Sequence, residues 1–340
     1  MKAYIYPNSK KGDIPNPYLD NLINSVNKKI QFDNYYTASK TGLFDLLNYI
    51  FRIDILLINW LEDVMDKRGG RLQWIFFRAI LVPILRIRKV KIIWILHNNL
   101  SHSTNKIKIK RRIFNYCFKL STLIITHAKD GVRIIKENRK DKTNNTLYIP
   151  HPVNSSTRNN SDKKDIDILI WGSISPYKGI HEFITQVKTN SYLKSLRITI
   201  AGKIRDKNYK TLLTENLSDN ISLLDKQLSL DELHQYLANS KIILFIYSTN
   251  SILSSGALMD SLGYGNTIVG PLKGAFKDLH ELGMIHGFND TKEIASICKN
   301  ILEQKILVDD ETKIKVKKFI EDNSWENFGK KLINNLNKID

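Results

Sequence analysis

Apolar residues in this chain gather in short β-branched runs, separated by longer stretches with the three-to-four-residue spacing of helices. KAYIY (2–6), DILLIN (54–59), KIIWIL (91–96), TLIIT (122–126) and TLYIP (146–150) predict strands. Asn16 to Lys28, Lys67 to Arg88 and Lys108 to Lys119 predict the helices between them, and Asp130 is placed to cap another, GVRIIKEN. A second set follows: DILIWG (167–172), RITIAG (197–202), ISLLD (221–225), KIILFIY (241–247) and NTIVG (266–270). Helices between these strands include Ser229 to Ala238 and Ala257 to Leu262. Apolar strands alternating with helices belong to parallel sheets covered on both faces, so the fold class is α/β. The polar string NSSTRNNSDKK, Asn154 to Lys164, has nothing to bury and divides the two sets. The expected organisation is a Rossmann-like domain over 1–153, a linker over 154–164 and a second Rossmann-like domain from 165, with a ligand in a shared cleft.

Composition narrows the function classes. With 42% apolar and 25% charged residues, the 340-residue chain is globular, not disordered. Its net charge of +18 is unevenly placed: the 63 residues between Asp66 and Asp130 hold 15 Lys and Arg and no acid. Such a field is either a solvated basic surface or an attractor of phosphate, in nucleic acid or in an anionic membrane leaflet. No helix-turn-helix, RRM or zinc signature accompanies it, so nucleic acid is not an expected partner. The longest apolar run, WIFFRAILVPIL from Trp74 to Leu85, is too short to span a bilayer and contains Arg78 and Pro83. The first residues show no basic head followed by an apolar segment, and Cys117 and Cys298 form no disulfide or metal-ligand spacing. The expectation is a cytoplasmic protein in a reducing compartment.

Three strands of the second set end in small or basic residues. WGSISPYKG (Trp171 to Gly179) carries Gly172, Ser173 and Lys178; AGKIRD carries Gly202, Lys203 and Arg205; and NSILSSGALMDSLGYG (Asn250 to Gly265) opens a helix with Ser254, Ser255 and Gly256. In open α/β sheets the carboxyl ends of neighbouring strands converge on one crevice. Small residues at a helix start bring free N–H groups close to an anion, and the helix dipole favours the negative charge. A diphosphate held by Lys178, Ser255 and Gly256 satisfies all three features. Neither G-x-G-x-x-G nor a P-loop is present, which disfavours a dinucleotide cofactor.

The order of these motifs resembles the donor domain of GT-B glycosyltransferases, family 4 and its relatives. NSWENFGKKL (Asn323 to Leu332) looks like the helix that crosses back to the first domain in those enzymes, which places it at 323–340 and ends the second domain at 322. INWLED (Ile58 to Asp63), WILHNNLSHS (Trp94 to Ser103) and IPHPVN (Ile149 to Asn154) extend the likeness into the first half. The resemblance implies two Rossmann-like domains facing across a cleft. It places the donor diphosphate on Lys178, Ser254, Ser255 and Gly256, with Gly172 and Ser173 beside it, and the nucleotide ribose on Asp260. Lys203 and the backbone around Leu228 fall where the rest of the nucleoside would lie. Two departures stand out: Ile252 occupies the first position of the usual Glu-x7-Glu pair, and Ser173 replaces the usual basic residue after the first glycine. The SSGAL form is closer to divergent bacterial polysaccharide transferases.

In the first half, His97 matches the strand-end histidine of family 4, as a sugar-hydroxyl contact or a base. Glu62, and after it Asp63, are candidates to take the acceptor proton at another strand end. His102, His127 and His151 are weaker. Asp165 and Asp167 spell D-x-D, but at the amino end of a strand, so no metal site and no cofactor are expected. The reading is a metal-independent hexosyltransferase. It takes a sugar from a nucleotide diphosphate-sugar to a glycan or lipid-linked glycan acceptor, at the anionic inner face of the cell membrane. Rivals are a nucleotide-sugar epimerase or hydrolase on the same plan, and a basic nucleic-acid-binding protein.

Overall fold

The computed structural model describes residues 1–7, 17–35, 37, 41–99, 106–139, 145–154, 164–249, 251–303 and 310–338. The chain forms two compact units, Met1–Pro150 with Trp325–Asp340, and His151–Ser324.

The first unit is built on strands β1 (Lys2–Tyr6), β2 (Gln31–Phe32), β3 (Ile55–Asn59), β4 (Lys91–Leu96), β5 (Leu123–Thr126) and β6 (Thr146–Tyr148). They form one parallel sheet in the order β2-β1-β3-β4-β5-β6. Every residue of β3 is buried, as the unbroken apolar run requires of a strand covered on both faces. Because β2 and β3 lie on opposite sides of β1, the winding reverses between β1 and β3. A reversal leaves a crevice at the carboxyl ends of those two strands. The register pairs Asn59 with Ile95, so Trp60 and His97 emerge from the sheet next to one another. The chain returns to this unit at its end. Helix Trp325–Leu336 packs on helix Pro17–Val26, with Phe328, Leu332 and Leu336 buried. Gly329 permits the contact, since a Cβ there would lie 2.2 Å from the Ser25 carbonyl oxygen.

The second unit carries β7 (Ile166–Trp171), β8 (Ile198–Ala201), β9 (Ile221–Leu224), β10 (Ser240–Leu244), β11 (Thr267–Pro271) and β12 (His286–Phe288). They are parallel, in the order β12-β11-β10-β7-β8-β9. Here the winding reverses between β7 and β10, the strands that lead into Gly172–Lys178 and into Ser254–Gly256. Two apolar cores sandwich the sheet, one including Ile168, Ile200 and Phe183, the other Leu169, Leu258 and Phe276.

Several expectations need correction. The single helix over 67–88 is three pieces: α-helix Gly70–Phe76, a π-helical turn Phe77–Leu81, and α-helix Val82–Ile87. Pro83 cannot donate to the carbonyl four residues back, and the ladder loosens in the turn before it. The helix cannot start before Gly70, because the left-handed Gly69 turns the chain there. Asp130 is not a cap. The helix is Lys129–Asn138 with Ala128 at its N-cap, and Asp130 lies in the first turn paired with Arg133 at 3.2 Å. The run KIILFIY stops being strand at Leu244; Tyr247, at φ 46°, turns the backbone out of the sheet. No helix among the described residues is long and apolar enough to cross a membrane.

Candidate functional site

In the second unit, tight backbone geometry brings the expected phosphate residues together. Gly172 follows β7 at φ +97°, and a Cβ built on it would lie 3.1 Å from the Lys178 ammonium and 3.9 Å from the Ala257 Cβ. The strand-end glycine, the lysine and the first turn of helix Gly256–Gly263 therefore meet in one place. The loop after β7 is fixed to the segment after β10 by the Tyr247 and Ser248 amides, which donate to the Lys178 and Tyr177 carbonyls at 3.0 and 3.1 Å. Gly202 closes the third side: a Cβ there would lie 1.8 Å from the Gly172 carbonyl oxygen.

Lys178 is 8% exposed, and burial lowers its ammonium pKa to about 8. It donates one long hydrogen bond, 3.4 Å, to the Trp171 carbonyl and stands 5.9 Å from the centre of the Tyr247 ring. No carboxylate among the described residues pairs with it. A buried cation without a counter-charge is costly unless an anion completes it. The neighbouring helix start is suited to that anion, because its first-turn amides have no intrahelical acceptor. A Cβ on Gly256 would meet nothing within 4 Å, so the space before those amides is open.

The two serine hydroxyls differ. Ser255 Oγ caps the helix, accepting from the Leu258 amide at 3.3 Å, and lies 3.0 Å from the Tyr247 hydroxyl. Ser254 Oγ is buried with no hydrogen-bond partner among the described residues. The Ser255 hydroxyl is thus in structural use, and that of Ser254 is not. Ser173 is exposed and hydrogen-bonds Tyr177. Asp260, one turn into the helix, is half-buried, and burial raises its carboxyl to about 6. Lys203 is engaged by Asp225 at 3.2 Å, an acid that also accepts from Lys210 at 2.8 Å and from the Ile204 amide. Those hydrogen bonds hold Asp225 well below the usual carboxylate range. Leu228 is half-buried against the core that contains Leu233 and Tyr247.

In the first unit, Asn59 and His97 close the ends of β3 and β4. Asn59 is fully buried; its amide nitrogen donates to the Tyr6 carbonyl at 3.4 Å, leaving Oδ1 as the acceptor for His97 Nε2 at 2.9 Å. That arrangement has Nε2–H of His97 donating to the Asn59 side-chain carbonyl oxygen. The Trp60 ring stacks on the imidazole at 4.3 Å between centres, from a left-handed backbone conformation at φ 46°. Tyr18 packs edge-on to the same ring at 4.6 Å and reaches His127 Nε2 at 2.7 Å, while His127 Nδ1 donates to the Ile149 carbonyl at 2.8 Å.

His97 is 8% exposed, and the two candidate carboxylates fall on either side of it in exposure. Glu62 is 4% exposed and its Oε2 has no partner among the described residues. Burial raises its carboxyl to about 7, reinforced by Asp63 and opposed by a backbone hydrogen bond and by Lys110. Asp63 is partly exposed and pairs at 3.3 Å with Lys110, a fully buried lysine that also binds Asp66. His102 lies outside the described residues. His151 is buried, its Nδ1 bonded to the Pro152 carbonyl at 2.8 Å, and burial lowers its pKa to about 4. Asp167 is held at the amino end of β7 by Arg197 and Lys241 at 3.2 and 2.8 Å. Burial alone would raise its pKa, but these hydrogen bonds bring it to about 2. Among the described residues no three His, Cys, Asp or Glu are grouped to hold a metal ion.

Asn59, Tyr18, Tyr247 and Asp225 were not singled out from the sequence as site residues. Asn59 alone left a signal, a polar residue ending an otherwise apolar strand; the other three become neighbours of the site only through the fold.

No protein-family model and no curated protein matches the chain. Solved structures do. HepE of Anabaena, crystallised in complex with UDP-glucose, superposes with a TM-score of 0.71 at 11% identity, over 99% of this chain and 100% of its own. AviGT4, a glycosyltransferase of avilamycin A biosynthesis, gives 0.62 at 11% identity over 100% and 98% of the two chains. A glycosyltransferase from Rickettsia africae gives 0.63 at 13% identity over 99% and 98%. At these identities the likeness is one of fold, and it extends over the full length of the chain. The chain has the GT-B fold.

Proposed function

We propose that this protein is a glycosyltransferase that moves a sugar from a nucleotide diphosphate-sugar to a lipid-linked glycan acceptor at an anionic membrane leaflet. One observation carries the donor class: the buried Lys178 ammonium, with which no carboxylate among the described residues pairs, beside Gly172 and the start of helix Gly256–Gly263. A nucleoside diphosphate supplies the missing negative charge, and Asp260 on the same helix accepts from the ribose hydroxyls. Neighbours of the same fold crystallised with UDP and UDP-glucose support this reading.

In the reaction, the acceptor oxygen bonds to the anomeric carbon as the bond from that carbon to the phosphate oxygen breaks. The electron pair leaves with the nucleoside diphosphate, where Lys178 and the helix amides stabilise it without a metal ion. The acceptor proton passes to a base on the first unit. Of the three candidates we favour His97, which Asn59 and Trp60 hold in place at the strand ends and which, like Glu62, is buried. Glu62 is shut from solvent, and Asp63 is held by Lys110.

A screen of UDP-, GDP- and dTDP-sugars for binding, hydrolysis and transfer, repeated with Lys178→Ala, tests the proposal. A donor that binds the native protein and is lost in the variant is the expected result. Failure of every nucleotide-sugar to bind refutes it.

A further inference from the structure

The helical segment from Gly70 to Ile87 is apolar on its outer side. Inward it buries Phe77, Leu81 and Leu85, as the core of the first unit requires. Outward, Leu72 is 67% exposed, Ile75 60% and Ile80 47%. The patch continues onto the neighbouring 3-10 helix, Gly42–Asn48, where Phe44 and Leu47 are exposed and Phe44 packs against Phe76 at 5.1 Å. The Leu43 amide ties the two elements by donating to Gln73 Oε1 at 3.0 Å. A surface helix ordinarily turns charged or polar residues outward. This one instead presents branched aliphatics, with exposed Arg71 and Arg78 among them, in a stretch that holds no acid.

We infer that this face of the first unit inserts into an anionic bilayer surface, its leucine and isoleucine side chains entering the acyl boundary and its arginines reaching the phosphates. A contiguous exposed apolar surface marks an interaction site. The chemistry around it selects the partner. A second copy of the chain would set Arg71 and Arg78 against like charges; segment 70–87 holds no acid, and Asp45, the acid of the adjoining 3-10 helix, is half-buried and accepts from the Tyr4 hydroxyl and Asn48. An anionic leaflet offers apolar depth and negative charge together, and long basic side chains extend from an embedded helix to the headgroups. The inference deepens the membrane part of the proposed function and rests on that part alone; it needs nothing from the donor site.

The test is flotation of the full chain with vesicles of phosphatidylcholine containing phosphatidylglycerol, against vesicles of phosphatidylcholine alone. The native protein floats with the anionic vesicles. Leu72→Ser/Ile75→Ser/Ile80→Ser weakens partitioning by at least tenfold at any salt concentration, since each side chain loses its apolar transfer. Arg71→Gln/Arg78→Gln weakens it roughly twenty-five-fold at low salt, at about fivefold per basic residue, and flattens the salt dependence. Nucleotide-sugar binding is measured on the same samples and stays at the native level in both variants. The inference fails if the native protein does not float, if the triple variant floats as well as the native chain, or if that variant only turns a dimer into a monomer. Loss of nucleotide-sugar binding in the native protein, with flotation intact, would instead refute the transferase reading.

Discussion

Replacing Lys178 with methionine makes the ligand-free protein more stable while removing its capacity to hold a nucleotide. The methionine keeps the unbranched stem and deletes the ammonium that burial forces into an apolar setting. A pKa lowered from 10.5 to about 8 corresponds to roughly 3 kcal/mol of unfavourable burial of the charged form. Imperfect packing of the new side chain returns part of this, so a gain of about 1–3 kcal/mol is expected at pH 7. For a unit of this size that is a rise of roughly 3–8 °C in Tm. The pH dependence identifies the cause. Below pH 8 the lysine is charged in both the folded and unfolded states, and the penalty is complete. Between 8 and 10.5 the folded protein binds fewer protons than the unfolded chain, so the native protein gains stability as pH rises and the advantage of Lys178→Met disappears. Thermal and urea unfolding at pH 7 and pH 10, with and without UDP, GDP or dTDP, measure this. If the proposed function holds, whichever of UDP, GDP or dTDP forms the donor raises the Tm of the native protein by mass action and leaves that of the variant unchanged. A variant that is less stable than the native protein at pH 7 without ligand, or that the same nucleotide still stabilises, would refute the reasoning.

Three further outcomes follow from the geometry. Gly202→Ala forces a methyl group against the Gly172 carbonyl, and unfolding should show a loss of about 2 kcal/mol or more together with weakened nucleotide affinity. Asp260→Asn should lower affinity for a nucleoside diphosphate about tenfold above pH 6. Titration calorimetry of the native protein should show affinity falling as pH drops through 6, where the carboxylate becomes protonated and turns into a weaker, uncharged acceptor for the ribose. Glu62 has a folded pKa above that of the unfolded chain, so the folded state retains a proton between 4.5 and 7 and stability declines as pH rises through that window. Glu62→Gln should thus be more stable than the native protein at pH 8 by about 1–3 kcal/mol and equal to it below pH 4.5. Its turnover persists if His97 takes the acceptor proton and vanishes if Glu62 does.

The β-branched runs by themselves point to parallel sheets, because a strand buried on both faces must be nearly apolar throughout, as β3, β4 and β5 are. The small residues after β7 and β10 and the basic residue at 178 were legible as a candidate set for a similar local reason, and the fold brings Gly172, Lys178 and the helix start together: glycine and lysine carry their chemistry wherever they are placed. Breaks within elements were not legible. The π-helical turn before Pro83 depends on which carbonyl a whole turn of helix leaves unpaired, and the early end of β10 depends on where Tyr247 must turn to meet the Lys178 carbonyl. Burial was decided only by the tertiary structure, and burial sets the chemistry. Glu62 and Asp63 are adjacent acids, yet the fold seals the first and pairs the second with Lys110 from a helix more than forty residues away. The apolar residues at 72, 75 and 80 look like core positions by type; only the packing of their helix turns them outward. Hydrophobicity is a property of the side chain, but whether water, protein or lipid covers it depends on its neighbours in space.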